Sequence, residues 1–355
     1  MGLPSSLIVP TAHLVWQLLG VPLAQRHPIW YYRRCAGALL AEARSTLILS
    51  VTPNVALDRT LVVPEFHPGR VYRPTATRVA PGGKGINLTR VILKLGGDSV
   101  CAGFLAGHTG RLLAELAERE GLPAAWTWVA GETRTCVIVA DPQTGESTVI
   151  NEYGLVTDAS MWQQLERDVL DQAAKADCVC FCGSLPPGSP LAAFTSTLEA
   201  VTAAGKPVWV DTSGDPLRAA LQAGGVNIKV NGEEAGEVLG WAVSDAQAAL
   251  VAADALHQRG AAAVVLTLGA AGAVLSAGGE RWRARPPEVK VLNAVASGDS
   301  FLAGLAMSLA QGFPMGEALR RGVAAGTANA LAGGGGHFGP ETFNQVLPQV
   351  HLERA

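Results

Sequence analysis

The sequence predicts an α/β fold: a mostly parallel central sheet with helices on both faces, plus a small β-sheet lid. Three observations lead there. From residue 178 onward, short apolar runs (DCVCFCG, KPVWVDTS, VNIKVN, AAVVLTLG) alternate with helical segments such as AFTSTLEAVTAAG and DAQAALVAADALHQRG. Alternation of this kind argues for a parallel sheet covered on both sides. Two separated segments, about 56–80 and 131–153, read instead as looser, more exposed strands. Finally, 355 residues, 48% of them hydrophobic, suffice for one large core with an appendage.

Taken in order, residues 1–45 stand apart. LIVPTAHLVWQLLGVPLA is apolar but broken by Pro10, His13 and Pro22, and its basic pair, Arg33 and Arg34, follows the apolar run where a signal peptide needs charge before it. The segment reads as an extension outside the fold, or as a start codon assigned too far upstream. The domain proper is expected over 46–355. TLILSVT (46–52) is a buried strand. RTLVVPEF and the stretch around TATRVA are lid strands, and NLTRVILKLGG is a helix with a glycine stop. SVCAGFLAG is a strand, and TGRLLAELAEREG a helix ending before glycine. TRTCVIVADPQTGESTVIN (133–151) is a hairpin around DPQTG. DSFLAGLAMSLAQG and RRGVAAGTANALAG are the helices that close the core.

Charge and cysteines narrow the class. The net charge is −3 with no long run of one sign, which disfavours nucleic acid; no apolar run reaches the roughly 18 residues a membrane span needs. A cytoplasmic enzyme acting on a small molecule fits. Of six cysteines, Cys178, Cys180 and Cys182 alternate, so a strand would put them on one face. They read as small apolar packing residues; no partner pair at zinc spacing follows.

Four stretches carry candidate chemistry. In NAVASGDSFLAGLAMSL, the small residues Ala296, Ser297 and Gly298 precede Asp299 and a helix. Unpaired amides at a helix start favour an anion, and small residues let it approach. Asp299 is either the helix cap or a base taking a proton from an attacking hydroxyl. VVLTLGAAGAVL (264–275) is a strand followed by G-x-x-G: a plain hairpin turn, or a place where a base or phosphate lies on backbone. In IKVNGEEAGEVLG, Asn231 and Glu234 stand three apart at a strand-to-helix junction. They form a capping pair or organise Mg²⁺ through water. APGGKGINLTR (80–90) suggests phosphate handling. It is neither a Walker A loop, since Gly85 follows Lys84, nor a dinucleotide fingerprint, since it lies too far past the first strand.

From about Thr46 to Gly333 the chain resembles the PfkB (ribokinase-like) carbohydrate kinases, in the 1-phosphofructokinase and tagatose-6-phosphate kinase branch. The matching stretches, in family order, are VTPNVALDRT (51–60), PGGKGIN (81–87), GETRT (131–135), INEYG (150–154), GSLPPG (183–188), DTSG (211–214), KVNGEEAGEVLG (229–240), TLGAAGA (267–273), ASGDSFLAG (296–304) and AAGTANA (324–330).

The resemblance implies roles. Asp58 would bond sugar hydroxyls, Gly82 and Gly83 would offer backbone to the sugar, and Asn87 would stand nearby. Lys84 and Arg134 would hold the phosphate already on the substrate; a guanidinium does so through two parallel bonds. Thr267, Leu268, Gly269, Ala270, Ala271 and Gly272 would line the ATP site, with Asn329 and Gly298. Asn231 and Glu234 would organise Mg²⁺ and nucleotide phosphates, with Glu234 nearest the metal. Ala296, Ser297 and Gly298 would form the anion hole, and Asp299 would be the base. Ala296 stands where the family usually has glycine, Ala294 where it has threonine or similar, and Val55 where it has proline. A positive φ at Ala296 would cost about 1 kcal/mol.

The implied activity is Mg·ATP-dependent phosphorylation of a sugar phosphate, foremost fructose 1-phosphate to fructose 1,6-bisphosphate. Tagatose-6-phosphate kinase and 6-phosphofructokinase-type activities are alternatives on the same scaffold. A non-catalytic sugar-phosphate sensor is favoured only by Ala296, and a dinucleotide oxidoreductase is opposed by the missing fingerprint. The lid strands carry apolar residues on both parities, so an exposed face could pair with a second copy.

Overall fold

Residues 46–355 are described by the structure, a computed structural model; the expected extension over 1–45 lies outside the described residues. The chain begins with β1 (Leu47–Val51), β2 (Ala56–Val62), β3 (Ala76–Gly82), α1 (Lys84–Lys94), β4 (Asp98–Leu105), α2 (Gly107–Arg119) and β5 (Ala124–Trp128). The hairpin β6 (Arg134–Ala140) and β7 (Ser147–Asn151) follows. Then come α3 (Ala159–Ala173), β8 (Cys178–Cys182), α4 (Leu191–Ala203), β9 (Val208–Asp211), α5 (Gly214–Ala223), β10 (Asn227–Asn231), α6 (Gly232–Leu239) and α7 (Ala246–Gln258). The last part holds β11 (Ala263–Thr267), β12 (Ala273–Ala277), β13 (Glu280–Arg285), α8 (Ser297–Ala310), α9 (Met315–Ala330), α10 (Pro340–Val346) and β14 (His351–Arg354).

A ten-stranded sheet runs β14-β13-β12-β11-β10-β9-β8-β1-β4-β5. It is parallel from β5 to β11. The remaining strands are antiparallel, because β11 turns straight back into β12 and the chain end returns to pair β14 with β13. Strand residues alternate between two cores, as a strand's period of two requires. Leu49, Val179, Val210 and Ile228 pack with α3, α4, α5 and α7 on one face. Ile48, Cys178, Cys180, Cys182 and Trp209 pack with α1, α8 and α9 on the other. The three alternating cysteines are therefore buried packing groups. Hydrogen bonding to Cys178, together with burial, raises the Cys180 thiol well above the ordinary range. Burial, then Asp211, does the same to Cys182. Among the described residues, no cluster of three or more His, Cys, Asp or Glu could hold a metal ion, and no helix is long and apolar enough to cross a membrane.

A second sheet, β3-β2-β6-β7, forms the lid. Its register matters for the site. Ala56 pairs with Gly82 on one side and Arg134 on the other, so two residues 52 positions apart share the base of the lid. Asp58 stands two residues further out, opposite Ala80 and Cys136. β3 runs through to Gly82, two residues beyond the expected lid segment, and α1 begins at Lys84. The PGGKG stretch is thus the corner where a lid strand becomes a helix of the large layer.

Candidate active site

The site lies past the carboxyl ends of the parallel strands, where open α/β sheets place their ligands. β9 ends on Asp211, β10 on Asn231 and β11 on Thr267. The N-termini of α1, α6 and α8 bring Lys84, Glu234 and Asp299 to the same region.

Asp299 occupies the first turn of α8 and is buried. Asn87, one turn into α1, donates from Nδ2 to Asp299 Oδ2 at 2.8 Å. Among the described residues Oδ1 has no hydrogen-bond partner, so one carboxylate oxygen is free to accept a proton. Burial raises the Asp299 pKa to about 6; Asp211 adds to the rise, while Lys84, the Asn87 hydrogen bond and Lys229 oppose it. Asp299 does not cap its own helix: α8 has no side-chain cap. Of the two local readings of this residue, capping is the one the geometry lacks.

The turn ahead of Asp299 forms an amide cluster. Ser297 N–H donates to Ala294 O at 3.1 Å, while the amides of Ala296, Gly298 and Asp299 have no acceptor among the described residues. Ala296 adopts φ 64°, ψ 12°, the left-handed conformation, and the following residues turn into α8. An αL residue running into αR makes successive N–H groups converge on one point, an anion-binding shape. Alanine pays about 1 kcal/mol for that conformation. A Cβ on Gly298 would lie 2.8 Å from Lys229 Nζ, so any larger residue there would displace that ammonium.

That lysine belongs to a charged chain that sequence reasoning did not single out. Lys229 Nζ donates to Asp211 Oδ2, and Lys84 Nζ to Asp211 Oδ1, both at 2.7 Å. Burial alone would raise the Asp211 carboxyl, but Lys229 and Lys84 outweigh it and hold its pKa at about 2. Burial works against the Lys84 ammonium too, yet Asp211 and Glu234 keep its pKa above that of an ordinary lysine. Lys84 therefore sits between two carboxylates, paired with Asp211 and 3.7 Å from Glu234 Oε1. The available signal was a lone charged residue at or near the carboxyl end of an apolar strand, in VWVD and NIKVN.

Asn231 and Glu234 form a complete capping box: the Asn231 side chain accepts from Glu234 N–H, and Glu234 Oε2 accepts from Asn231 N–H, each at 2.8 Å. The box leaves Oε1, beside Lys84, as the outward acceptor. A single outward carboxylate oxygen is a donor of the kind Mg²⁺ takes, since that ion usually binds one or two carboxylates and keeps waters for the rest.

A cavity of about 590 Å³ adjoins the amide cluster. Thr267, Gly269, Ala270 and Gly272 from the β11–β12 turn line it, with Ser297 and Gly298 at the start of α8 and Val323, Gly326, Thr327 and Ala330 on α9. The turn is both things the sequence allowed, a hairpin connection and a cavity wall. Leu268 and Ala271 shape the turn but do not line the cavity; Leu268 packs against the core. Asn329 is fully buried outside the cavity. It donates to Val295 O and Ser297 Oγ and accepts from Gly336 N–H, bracing the amide turn from behind.

On the lid side, Asp58 faces Gly82 so closely that a Cβ on Gly82 would lie 2.1 Å from Asp58 Oδ2. Burial raises the Asp58 pKa to about 6 against the pull of Arg134 and Arg90. Gly83 holds φ 127°, open to glycine, as the chain turns into α1. Arg134 donates to Asn54 O and Glu152 O, which ties it to the lid base and leaves two of its five N–H groups.

Comparison with known proteins agrees with this architecture. The family described as pfkB family carbohydrate kinase matches residues 50–342. The chain is 31% identical over 310 residues to 1-phosphofructokinase of Bacillus subtilis (strain 168), covering 87% of this chain and 100% of that protein. It is 28% identical to a tagatose-6-phosphate kinase of Staphylococcus epidermidis, covering 86% and 99%. The crystal structure of phosphofructokinase-2 from Escherichia coli superposes with a TM-score of 0.81 at 29% identity, over 86% of this chain and 99% of that one. A mostly parallel sheet, a four-stranded lid and a buried aspartate at an amide-lined helix start thus meet in a chain that belongs to the pfkB family of carbohydrate kinases.

Proposed function

We propose that the protein transfers the γ-phosphoryl group of ATP to a hydroxyl of a sugar phosphate, foremost fructose 1-phosphate, giving fructose 1,6-bisphosphate. The observation that carries this reading is the meeting of Asn87 and Asp299. It joins the lid-side glycine corner to the amide cluster beside the cavity, so an acceptor hydroxyl and a phosphoryl group would meet at one carboxylate oxygen.

The sugar would lie against Gly82 and Gly83 with its hydroxyls on Asp58. Its own phosphate would take the two unused N–H groups of Arg134. ATP would fill the cavity, its base against the β11–β12 turn and its γ-phosphate at the amides of Gly298 and Asp299. Asp299 Oδ1 would accept the hydroxyl proton as the sugar oxygen bonds phosphorus and the bond to the ADP oxygen breaks. Lys84 and Lys229, each paired with Asp211, would stabilise the transferring group electrostatically. Mg²⁺ bound with the nucleotide would neutralise phosphate charge, and Glu234 Oε1 is the group that would hold it. Lid closure over the sugar would exclude water. Val149 and Ile150 are exposed on opposite faces of β7, so the lid has apolar surface for a second copy.

ADP release with fructose 1-phosphate, tagatose 6-phosphate and fructose 6-phosphate tests the reading. The highest kcat/KM is expected on fructose 1-phosphate. A clear preference for tagatose 6-phosphate would move the assignment to the second relative's activity, and sugar binding without ADP from any of the three would mark a sensor.

A further inference from the structure

Arg90 has no part in the functions assigned so far, yet it is 3% exposed and its donors are all taken. Nε donates to Glu120 Oε1. NH1 donates to Asn87 Oδ1 at 2.7 Å and to Gly335 O at 2.8 Å. NH2 donates to Pro81 O at 3.1 Å and to Glu120 Oε2 at 2.9 Å. A guanidinium has five N–H groups in a rigid planar fork. Here five acceptors meet them.

Those acceptors are not a random shell. Pro81 begins the glycine corner. Asn87 lies three residues before Arg90, on the same face of α1, and is the partner of Asp299. Gly335 N–H reaches Val295 O, and its neighbour Gly336 N–H reaches Asn329 Oδ1, the side chain that braces Ser297. One side chain therefore touches the sugar floor, the partner of the base, and the loop behind the anion turn.

The Asn87 contact has a directional consequence. A guanidinium only donates, so Asn87 must turn its oxygen toward Arg90. Its Nδ2 then points at Asp299 and can only donate there. The flipped amide would set N–H against N–H on one side and oxygen against carboxylate on the other. We infer that Arg90 is a positioning residue for phosphoryl transfer: it selects the Asn87 amide orientation that holds Asp299 Oδ2, and so leaves Oδ1 aimed at the acceptor hydroxyl. Glu120 anchors the fork from the far side. The inference rests on Asp299 being the base.

The test compares Arg90→Gln, Arg90→Lys, Asn87→Ala, the Arg90→Gln/Asn87→Ala double variant and Asp299→Asn in the full chain. Arg90→Gln should lower kcat about tenfold or more while the KM for ATP stays within about twofold, the split expected when a transition-state contact is lost. The acidic limb of its pH–rate profile should move up by about half a pH unit or more, because a hydrogen bond to the charged form of Asp299 is loosened. Asp211, Lys84, Lys229 and Asp58 also face Asp299 and are unchanged in these variants, but Arg90 pulls directly on Asp58 as well, so the shift is assigned to the Asn87–Arg90 arm only if Asn87→Ala, which keeps the guanidinium, moves the limb in the same direction. On the Asn87→Ala background, Arg90→Gln should cost less than about threefold, since both act through one amide. Arg90→Lys, which keeps the charge without the fork, should fall between wild type and Arg90→Gln. Should Arg90→Gln not fold, the limb and the cycle are read on Arg90→Lys. An unmoved limb with fully multiplicative losses would reduce Arg90 to scaffold. Wild-type-like Arg90→Gln beside an inactive Asp299→Asn would overturn the positioning role alone, and an active Asp299→Asn would overturn the base assignment beneath it.

Discussion

Lys229 and Asp211 meet as a buried ion pair, Nζ to Oδ2 at 2.7 Å, with side-chain exposures of 5% and 1%. Removing one member of such a pair leaves a charge with neither water nor partner. Asp211→Asn is therefore expected to destabilise the protein by about 3 kcal/mol or more, measured by urea unfolding at pH 7. A change under about 1 kcal/mol would show that solvent or a neighbour replaces the carboxylate. The pH dependence follows the same pair. The folded pKa, about 2, lies below the ordinary 3.8. Its contribution is present above pH 4 and fades as pH falls toward 2, by roughly 2 kcal/mol in all.

Asp299 behaves in the opposite sense. Its folded pKa, about 6, lies above the ordinary 3.8. The folded state binds the extra proton, so this group's contribution to stability falls as pH rises from about 4 to 6 and stays low above. Asp299→Asn should then be more stable than wild type at pH 8, by roughly 2–3 kcal/mol at most, with the gap closing toward pH 4. The same substitution should lower kcat roughly 10²–10⁴-fold. Equal melting temperatures at pH 8 would contradict the buried charge.

Activity should fall below about pH 6 as Asp299, the proposed base, takes up its proton. Asp58 titrates in the same range, from the same cause, burial. Two carboxylates that sense each other yield a limb that belongs to the pair. In Asp58→Asn the limb should persist at lower activity, because Asp299 remains. Its disappearance in steady-state kcat profiles between pH 5 and 8 would assign it to Asp58.

Ala296→Gly relieves the left-handed backbone at φ 64°. Glycine's greater freedom in the unfolded chain offsets part of the gain, leaving about 0.5 kcal/mol or slightly more. A melting temperature raised by about 1–2 °C, with kcat no lower, is expected by calorimetry and kinetics. A clear loss of stability would mean the turn tolerates alanine without strain.

Gly82→Ala tests the sugar floor. The new methyl would lie 2.1 Å from Asp58 Oδ2, so the carboxylate must swing away. The sugar-phosphate KM should rise about tenfold or more, in line with loss of a hydrogen bond to a charged group, while the KM for ATP stays put. Unchanged sugar kinetics would separate Asp58 from substrate binding.

The alternating layers, the lid hairpin and the Asp299 helix were legible because each is written locally. The run VWV is apolar on both faces, and the small-residue turn ASG stands directly before DSFLAGLAMSL. β14 was not legible: its four residues gain meaning only by pairing with β13, some 70 positions earlier. The roles of Asp211 and Lys229 also stayed hidden. Each is one charge at or near a strand's end, and only parallel pairing of β9 with β10 brings them together. Nothing local marked Arg90, since its acceptors come from residues 81, 87, 120 and 335.

The alternation of strands with helices and the order of short motifs determined the α/β fold with its separate lid sheet and the family, because spacing along a chain limits what a turn or helix start can do. The tertiary structure decided what each charge faces. It set Lys84 beside Asp211 and Glu234, gave Ala296 its left-handed backbone and closed the Asn231–Glu234 cap. It also aimed the Asn87 amide at Asp299. Orientation, burial and the balance between desolvation and pairing are properties of groups brought together from distant segments, and they exist only once the chain has folded.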